Sequence, residues 1–147
     1  MARLRRILHP SDFSRASNAA FARAVAMARA DRAELVVVNV LSHVMPFAGE
    51  GFSPKAYADL DASLRAAAMR SLDRLLGRAR RAGVRTRGLV LDGAPHDRIV
   101  RAARSPRCDL IVMGTHGRDG LARLFLGSVA ERVVATAPCP VMTVRSR

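Results

Sequence analysis

Five stretches of the chain are apolar in near-continuous runs, and between them apolar residues recur every three or four positions. The continuous runs are Arg6 to His9, Glu34 to Leu41, Val84 to Leu91, Asp109 to Met113 and Val141 to Val144. Continuous rather than alternating apolarity, as in Leu35-Val36-Val37-Val38, predicts strands buried on both faces, the habit of a parallel sheet. From Ser14 to Ala30 the apolar residues Ala20, Phe21, Ala24, Val25 and Ala28 follow a helical period. Ala56 to Ala82 carries Leu60, Leu64, Ala68, Leu72, Leu75 and Leu76 on one face and arginines on the other, and Gly83 suits the position after a helix. Pro95 opens a short helix to about Ser105, and Ser128 to Ala137 makes a fourth. Strands alternating with helices, without linker or repeat, predict one α/β domain over residues 1–147, with a parallel sheet covered on both faces. Ser42 to Pro54, with two glycines and two prolines, reads as a loop.

Composition refines this only in part. The 147 residues suffice for one domain with a core, and half are hydrophobic with few aromatics. No apolar run reaches the roughly 18–20 residues a membrane helix needs. Met1 to Pro10 lacks the apolar stretch of a signal peptide, because Ile7-Leu8 runs at once into His9, Pro10 and Asp12. The expected location is the cytoplasm. Cys108 and Cys139 form no CxxC and no metal-spaced cluster, leaving two small buried thiols or a redox pair. The net charge is +13, and Lys55 is the sole lysine. The arginines are spread along the chain without interleaved aromatics, which argues against a base-stacking platform. Solvated faces and a polyanion-binding surface, nucleic acid included, both stay open.

The segment with the most chemistry is Gly114-Thr115-His116-Gly117, nine residues, then Gly127-Ser128-Val129. It follows a predicted strand and opens a predicted helix. Glycines admit close backbone approach, and the free amides and dipole at a helix start favour an anion. Ser128 can cap the helix or bond a phosphate oxygen; a glycine-rich surface turn is the plain alternative. No Gly-Lys-Ser/Thr makes a Walker loop and no GxGxxG a dinucleotide turn. Arg118 and Arg123 lie within the loop, where they neutralise phosphate charge or are merely solvated. The second segment is His9-Pro10-Ser11-Asp12 at the end of the first strand. Ligands of open α/β sheets sit beyond the carboxyl ends of the strands, where the chain switches direction. If the first and fourth strands are neighbours, Asp12 and Gly114 flank one crevice. Asp12 then bonds a ribose hydroxyl, holds a divalent cation, or caps the first helix with or instead of Ser14. His9 reads as structural rather than as a base, and Val40 as core or as a wall against a base ring. His43 and His96 have no partner evident in the sequence, and Asp97 suits the dipole at a helix start.

These segments resemble the universal stress protein family over essentially the full chain. The matching residues are Ile7 to Ser14, Gly93-Ala94-Pro95-His96-Asp97-Arg98-Ile99, Asp109 to Gly117, Gly120-Leu121, Leu126 to Glu131 and Pro138-Cys139-Pro140-Val141. The family's ATP-binding branch carries Gly-x2-Gly-x9-Gly-Ser/Thr, complete here at Gly114, Gly117, Gly127 and Ser128. The resemblance implies a five-stranded sheet of order 3-2-1-4-5, the adenine nucleotide alpha hydrolase-like fold, and a homodimer through the last strand, Val141 to Val144. It implies adenine near Pro10, Asp12 and Val40, with Ser11 also in the nucleotide site. Phosphates would lie near Gly117, Gly127, Ser128 and Val129, with Met113, Gly114, His116 and Arg118 completing the site. Mg²⁺ or Mn²⁺ would accompany the phosphates, with Asp12 the candidate metal ligand. The expected function is ATP binding in a regulatory stress response, through a protein partner, with hydrolysis slow or absent. A metal-assisted nucleotide hydrolase and a polyanion-binding protein are the alternatives.

Overall fold

A computed structural model describes residues 2–42, 53–115 and 127–146. The elements are β1 (Arg6–Pro10), α1 (Arg15–Asp31), β2 (Glu34–Leu41), α2 (Pro54–Arg81), β3 (Thr86–Asp92), α3 (Pro95–Arg104), β4 (Leu110–Gly114), α4 (Ser128–Thr136) and β5 (Val141–Val144). They form one parallel sheet of order β3-β2-β1-β4-β5, the order expected.

The apolar runs are continuous because alternate residues serve different layers. Ile7, Leu35, Val37, Leu110 and Val112 pack with α1 and α2. Leu8, Val36, Val38, Ile111 and Met113 pack with α3 and α4 on the other face. A strand with water on either face would alternate in polarity. Phe21 of α1 is 2% exposed, and the Arg78 guanidinium of α2 lies 5.0 Å from its ring centre. That contact joins the two helices of one layer and is worth roughly 1 kcal/mol.

Boundaries differ from the sequence expectation by two residues at two places, and elsewhere by at most one. The third strand begins at Thr86 rather than Val84, because the Val84 amide is taken by the carbonyl of Ala79 at 3.0 Å while its side chain stays buried. The long helix begins at Pro54, since Ser53 caps it through the Ala56 amide at 3.1 Å. Gly83 does end that helix, with φ +83° just after the cap residue. Among the described residues no helix is long and apolar enough to cross a membrane.

Candidate functional site

Strands β1 and β4 are paired only at Ile7–Leu110 and Leu8–Ile111. β1 continues against β2 as far as Pro10–Val38, and β4 against β5 as far as Gly114–Val144. The two central strands therefore part at their carboxyl ends. Pro10 has no N–H with which to extend the ladder. In its place the His9 ring reaches across, Nδ1 donating to the Val112 carbonyl at 2.8 Å. The gap beyond His9 is the crevice that the topology predicts.

Its β1 side is rigid. The Ser11 amide donates to Val38 O at 2.8 Å, and Asn39 Nδ2 donates to Ser11 O at 2.8 Å. Phe13 then turns the chain through a left-handed conformation, φ 63°. Both proposed caps of α1 are used, in different ways. Ser14 is the cap, accepting from the Ser17 amide at 3.2 Å. Asp12 Oδ1 accepts from the Ser14 amide at 2.9 Å and from the Ser17 hydroxyl at 2.7 Å. The carboxylate is thereby fixed at the mouth of the crevice, half-buried.

The β4 side carries the glycines. Gly114 has a reason that its motif did not suggest: a Cβ there would lie 3.1 Å from the Ala16 carbonyl oxygen and 3.4 Å from the Ser17 nitrogen. Its lack of a side chain lets the end of β4 approach the first turn of α1. Thr115 is buried; its amide donates to Val144 O at 3.1 Å, and its carbonyl accepts the Gly127 amide at 2.6 Å. This last bond brings Gly127 back to the end of β4. Gly127, not Ser128, is the N-cap of α4, with φ −60° and ψ 154°, and no side chain caps the helix. Ser128 is the first helical residue, exposed. The Glu131 amide bonds Gly127 O at 2.9 Å, so the amides of Ser128, Val129 and Ala130 have no acceptor within the helix. Such a start favours an anion.

Val40 and Val129 are partly buried against the apolar cluster that contains Met113. The structure thus brings together Pro10, Ser11, Asp12, Met113, Gly114, Gly127, Ser128 and Val129 around one end of the sheet, with Val40 on the same side. His116, Gly117 and Arg118, like Arg123 and His43, lie outside the described residues. Ser17, Asn39 and Thr115 were missed by sequence reasoning. A polar Asn39 inside a valine run was the one available signal.

His9 is fully buried, its ring centre 5.7 Å from that of Phe21. Burial drives its pKa down to about 4, against the Val112 hydrogen bond and the Asp12 charge, which pull it up. It is neutral and tied to the backbone, so it is a structural cross-link between β1 and β4. Burial also pushes the Cys108 thiol up to about 11, and Cys139 is raised by the same cause. Both are free thiols, held protonated at neutral pH. Asp97 pairs with Arg101 one turn along α3, 3.1 Å apart at the surface. Among the described residues no three His, Cys, Asp or Glu side chains form a metal-binding group.

Residues 3–145 match the model of the universal stress protein family. A relative from Thermus aquaticus, named as the universal stress protein in the QAH/OAS sulfhydrylase 3′ region, is 38% identical over 148 residues. That match covers 95% of this chain and 97% of the relative. Among solved structures, MJ0577 of Methanocaldococcus jannaschii superposes with a TM-score of 0.87 at 25% identity, covering 99% of both chains. A universal stress protein solved in complex with cAMP superposes with a TM-score of 0.69 at 26% identity. It covers 99% of this chain and 100% of its own.

Proposed function

The chain belongs to the universal stress protein family, and from that premise we propose that it binds an adenine nucleotide, with ATP the primary ligand, in the crevice between β1 and β4. The observation that carries the reading is the uncapped start of α4, set beside the end of β4 by the Gly127–Thr115 hydrogen bond. Three amides without helical acceptors favour an anion, and a phosphate chain supplies one. The cAMP complex of a related protein supports adenine as the base. In this reading the adenine lies by Pro10, Ser11 and Asp12 against the apolar wall of Val40 and Met113. The phosphates lie against Gly114, Gly127, Ser128 and Val129; His116, Gly117 and Arg118, outside the described residues, are assigned to the same site by the glycine motif alone.

Asp12 suits a ribose or a metal-bound water better than a protein-built metal site, because Oδ1 already accepts two hydrogen bonds. A divalent cation, Mg²⁺ or Mn²⁺, arrives with the phosphates and supplies charge neutralisation there. Slow or absent hydrolysis is the expected behaviour: Asp12 is committed to the α1 start, and His9 is fully buried beneath the crevice and tied to the Val112 carbonyl. The protein then acts as a nucleotide-dependent regulator of a stress response in the cytoplasm, through a protein partner and as a homodimer joined along β5.

The experiment is nucleotide release. Denatured purified protein should yield an adenine nucleotide by mass spectrometry, and calorimetry on the stripped protein should show ATP binding. Gly127→Val should weaken ATP by roughly 100-fold, the loss of one or two charge-assisted amide contacts. Its stability without ligand should hold, because φ −60° and ψ 154° are open to valine. No released nucleotide together with no calorimetric binding, or unchanged affinity in Gly127→Val, would overturn the assignment.

A further inference from the structure

Arginines scattered along the sequence meet at one end of the fold, the amino ends of the strands, opposite the crevice. Arg3 and Arg5 lead into β1, Arg32 joins α1 to β2, Arg85 leads into β3, Arg104 ends α3 and Arg107 joins α3 to β4. All six are exposed. Local contacts knit their segments together: Arg3 Nε donates to Asp31 O at 2.6 Å, and Arg6 donates to the carbonyl of Pro106.

Three carboxylates lie at this end, Asp31, Glu34 and Asp109, and the arginines outnumber them. Asp31 accepts the Leu4 amide at 2.8 Å. Asp109 Oδ2 accepts the amides of Arg5 and Arg6 at 2.7 and 2.9 Å. Glu34 is held between Arg6 at 2.6 Å and Arg87 at 3.4 Å. Among the described residues none of the three carboxylates forms an ion pair with any of the six guanidinium groups. An open groove of about 520 Å³ runs between Arg5, Arg6, Ser105, Pro106, Arg107 and Asp109.

A second observation concerns the backbone. Arg32 and Arg107 have φ of 55° and 50°, the left-handed conformation that follows a helix and that glycine adopts without strain. Two of the connections entering the sheet thus hold arginine where glycine is the relaxed choice. Two plain explanations fall short. Cations suit helix carboxyl ends, but each end carries only about half a charge. A preference for arginine over lysine leaves net charge unchanged.

We propose that this end of the protein binds the phosphodiester backbone of duplex nucleic acid without reading sequence. Guanidinium forks match phosphate oxygens in pairs. The exposed large apolar residues, Leu60, Leu64, Met69, Leu89 and Val134, lie on α2, β3 and α4 and not on the segments that carry the six arginines. Among the described residues this surface therefore lacks the apolar residues a lipid bilayer takes up, the aromatic platform a single strand stacks on, and the buried anchors of a protein interface.

The test is fluorescence anisotropy with a labelled 20-base-pair duplex. Neutralising about five phosphates, affinity should fall roughly 500-fold between 50 and 200 mM salt. The double substitution Arg32→Gly and Arg107→Gly should weaken binding at 50 mM salt by roughly 10-fold or more, without lowering the melting temperature. Arg70→Ser with Arg74→Ser removes equal charge from exposed positions on α2 and should change affinity less than about twofold. Saturating ATP should leave duplex affinity unchanged. The proposal is overturned by no binding at 50 mM salt or by equal losses in both double variants. Competition by ATP, or binding to phosphatidylserine vesicles but not to duplex, overturns it too.

Discussion

Gly114→Ala separates the two reasons a glycine can end β4. If Gly114 exists for the phosphate, the substitution harms only nucleotide binding. If it exists for packing, the protein without ligand suffers. The geometry favours packing: the new Cβ would stand 3.1 Å from Ala16 O, 3.2 Å from Ala16 C and 3.4 Å from Ser17 N. All three are backbone atoms of the first turn of α1, which cannot rotate away as a side chain can. That turn is pinned by Ser14 and Asp12 through Ser17. Relief therefore means moving α1 by a few tenths of an ångström or breaking one of those hydrogen bonds. Overpacking costs about 1–3 kcal/mol, and a lost hydrogen bond about 1 kcal/mol. A value of about 2 kcal/mol corresponds to roughly 6–8 °C in melting temperature at this chain length. The assay is thermal unfolding of nucleotide-stripped protein, with ATP calorimetry on the same samples. A melting temperature within about 1 °C of wild type, combined with collapse of ATP affinity, would refute the packing argument and return Gly114 to the phosphate site.

His9 titrates near 4 in the folded protein and near 6.5 when unfolded. The unfolded chain thus takes the proton first: stability is full above about pH 6.5 and falls by up to about 3 kcal/mol as pH drops towards 4. Denaturant unfolding of wild type against His9→Gln should show this slope as a difference, and a flat difference from pH 7 to 4 would refute it. The edge strand β5 is half-buried along its length, Val141 to Val144, and has β4 as its one neighbour among the described residues. Sedimentation at micromolar concentration should give a dimer, and Met142→Lys should dissociate it; a wild-type monomer would remove β5 as an interface.

The central strands were legible because burial on both faces leaves a continuous apolar signature, as in Leu35 to Val38. β3 was legible in kind but not in its start, since Val84 is buried under α2 before the strand begins. The crevice was half legible. Position along the chain placed Asp12 and Gly114 at strand ends, and strand order made them neighbours. What each residue does there depends on contacts that sequence spacing does not encode. Asp12 turns out to brace α1 through Ser17, Gly114 admits that helix, and Ser128 leaves the capping position to Gly127. Asn39 and Thr115 hold backbone across the sheet, and only the folded register reveals which carbonyl each one meets. The arginine face was illegible for the same reason: its members come from four separate connections.

A parallel sheet with connecting helices sorts charge by construction. Every helix here starts at the carboxyl end of the sheet and finishes at the amino end, so free amides collect at one end and free carbonyls at the other. In the proposed site the crevice uses the first set directly, through the uncapped start of α4. At the other end the helix ends call for cations, and Arg29, Arg80, Arg81 and Arg104 answer that need within the last turns of α1, α2 and α3. The arginines of the lead-in segments go further and outnumber the carboxylates Asp31, Glu34 and Asp109 at that end. The two ends are separated by the length of the strands, about 17 Å even for the five residues of β1. Charges that far apart are largely screened at physiological salt, where the Debye length is about 8 Å. A nucleotide in the crevice therefore cannot weaken a polyanion at the far end by charge alone. The helix α1 joins the two ends mechanically: Asp12 and Gly114 fix its first turn and its carboxyl end delivers Arg32.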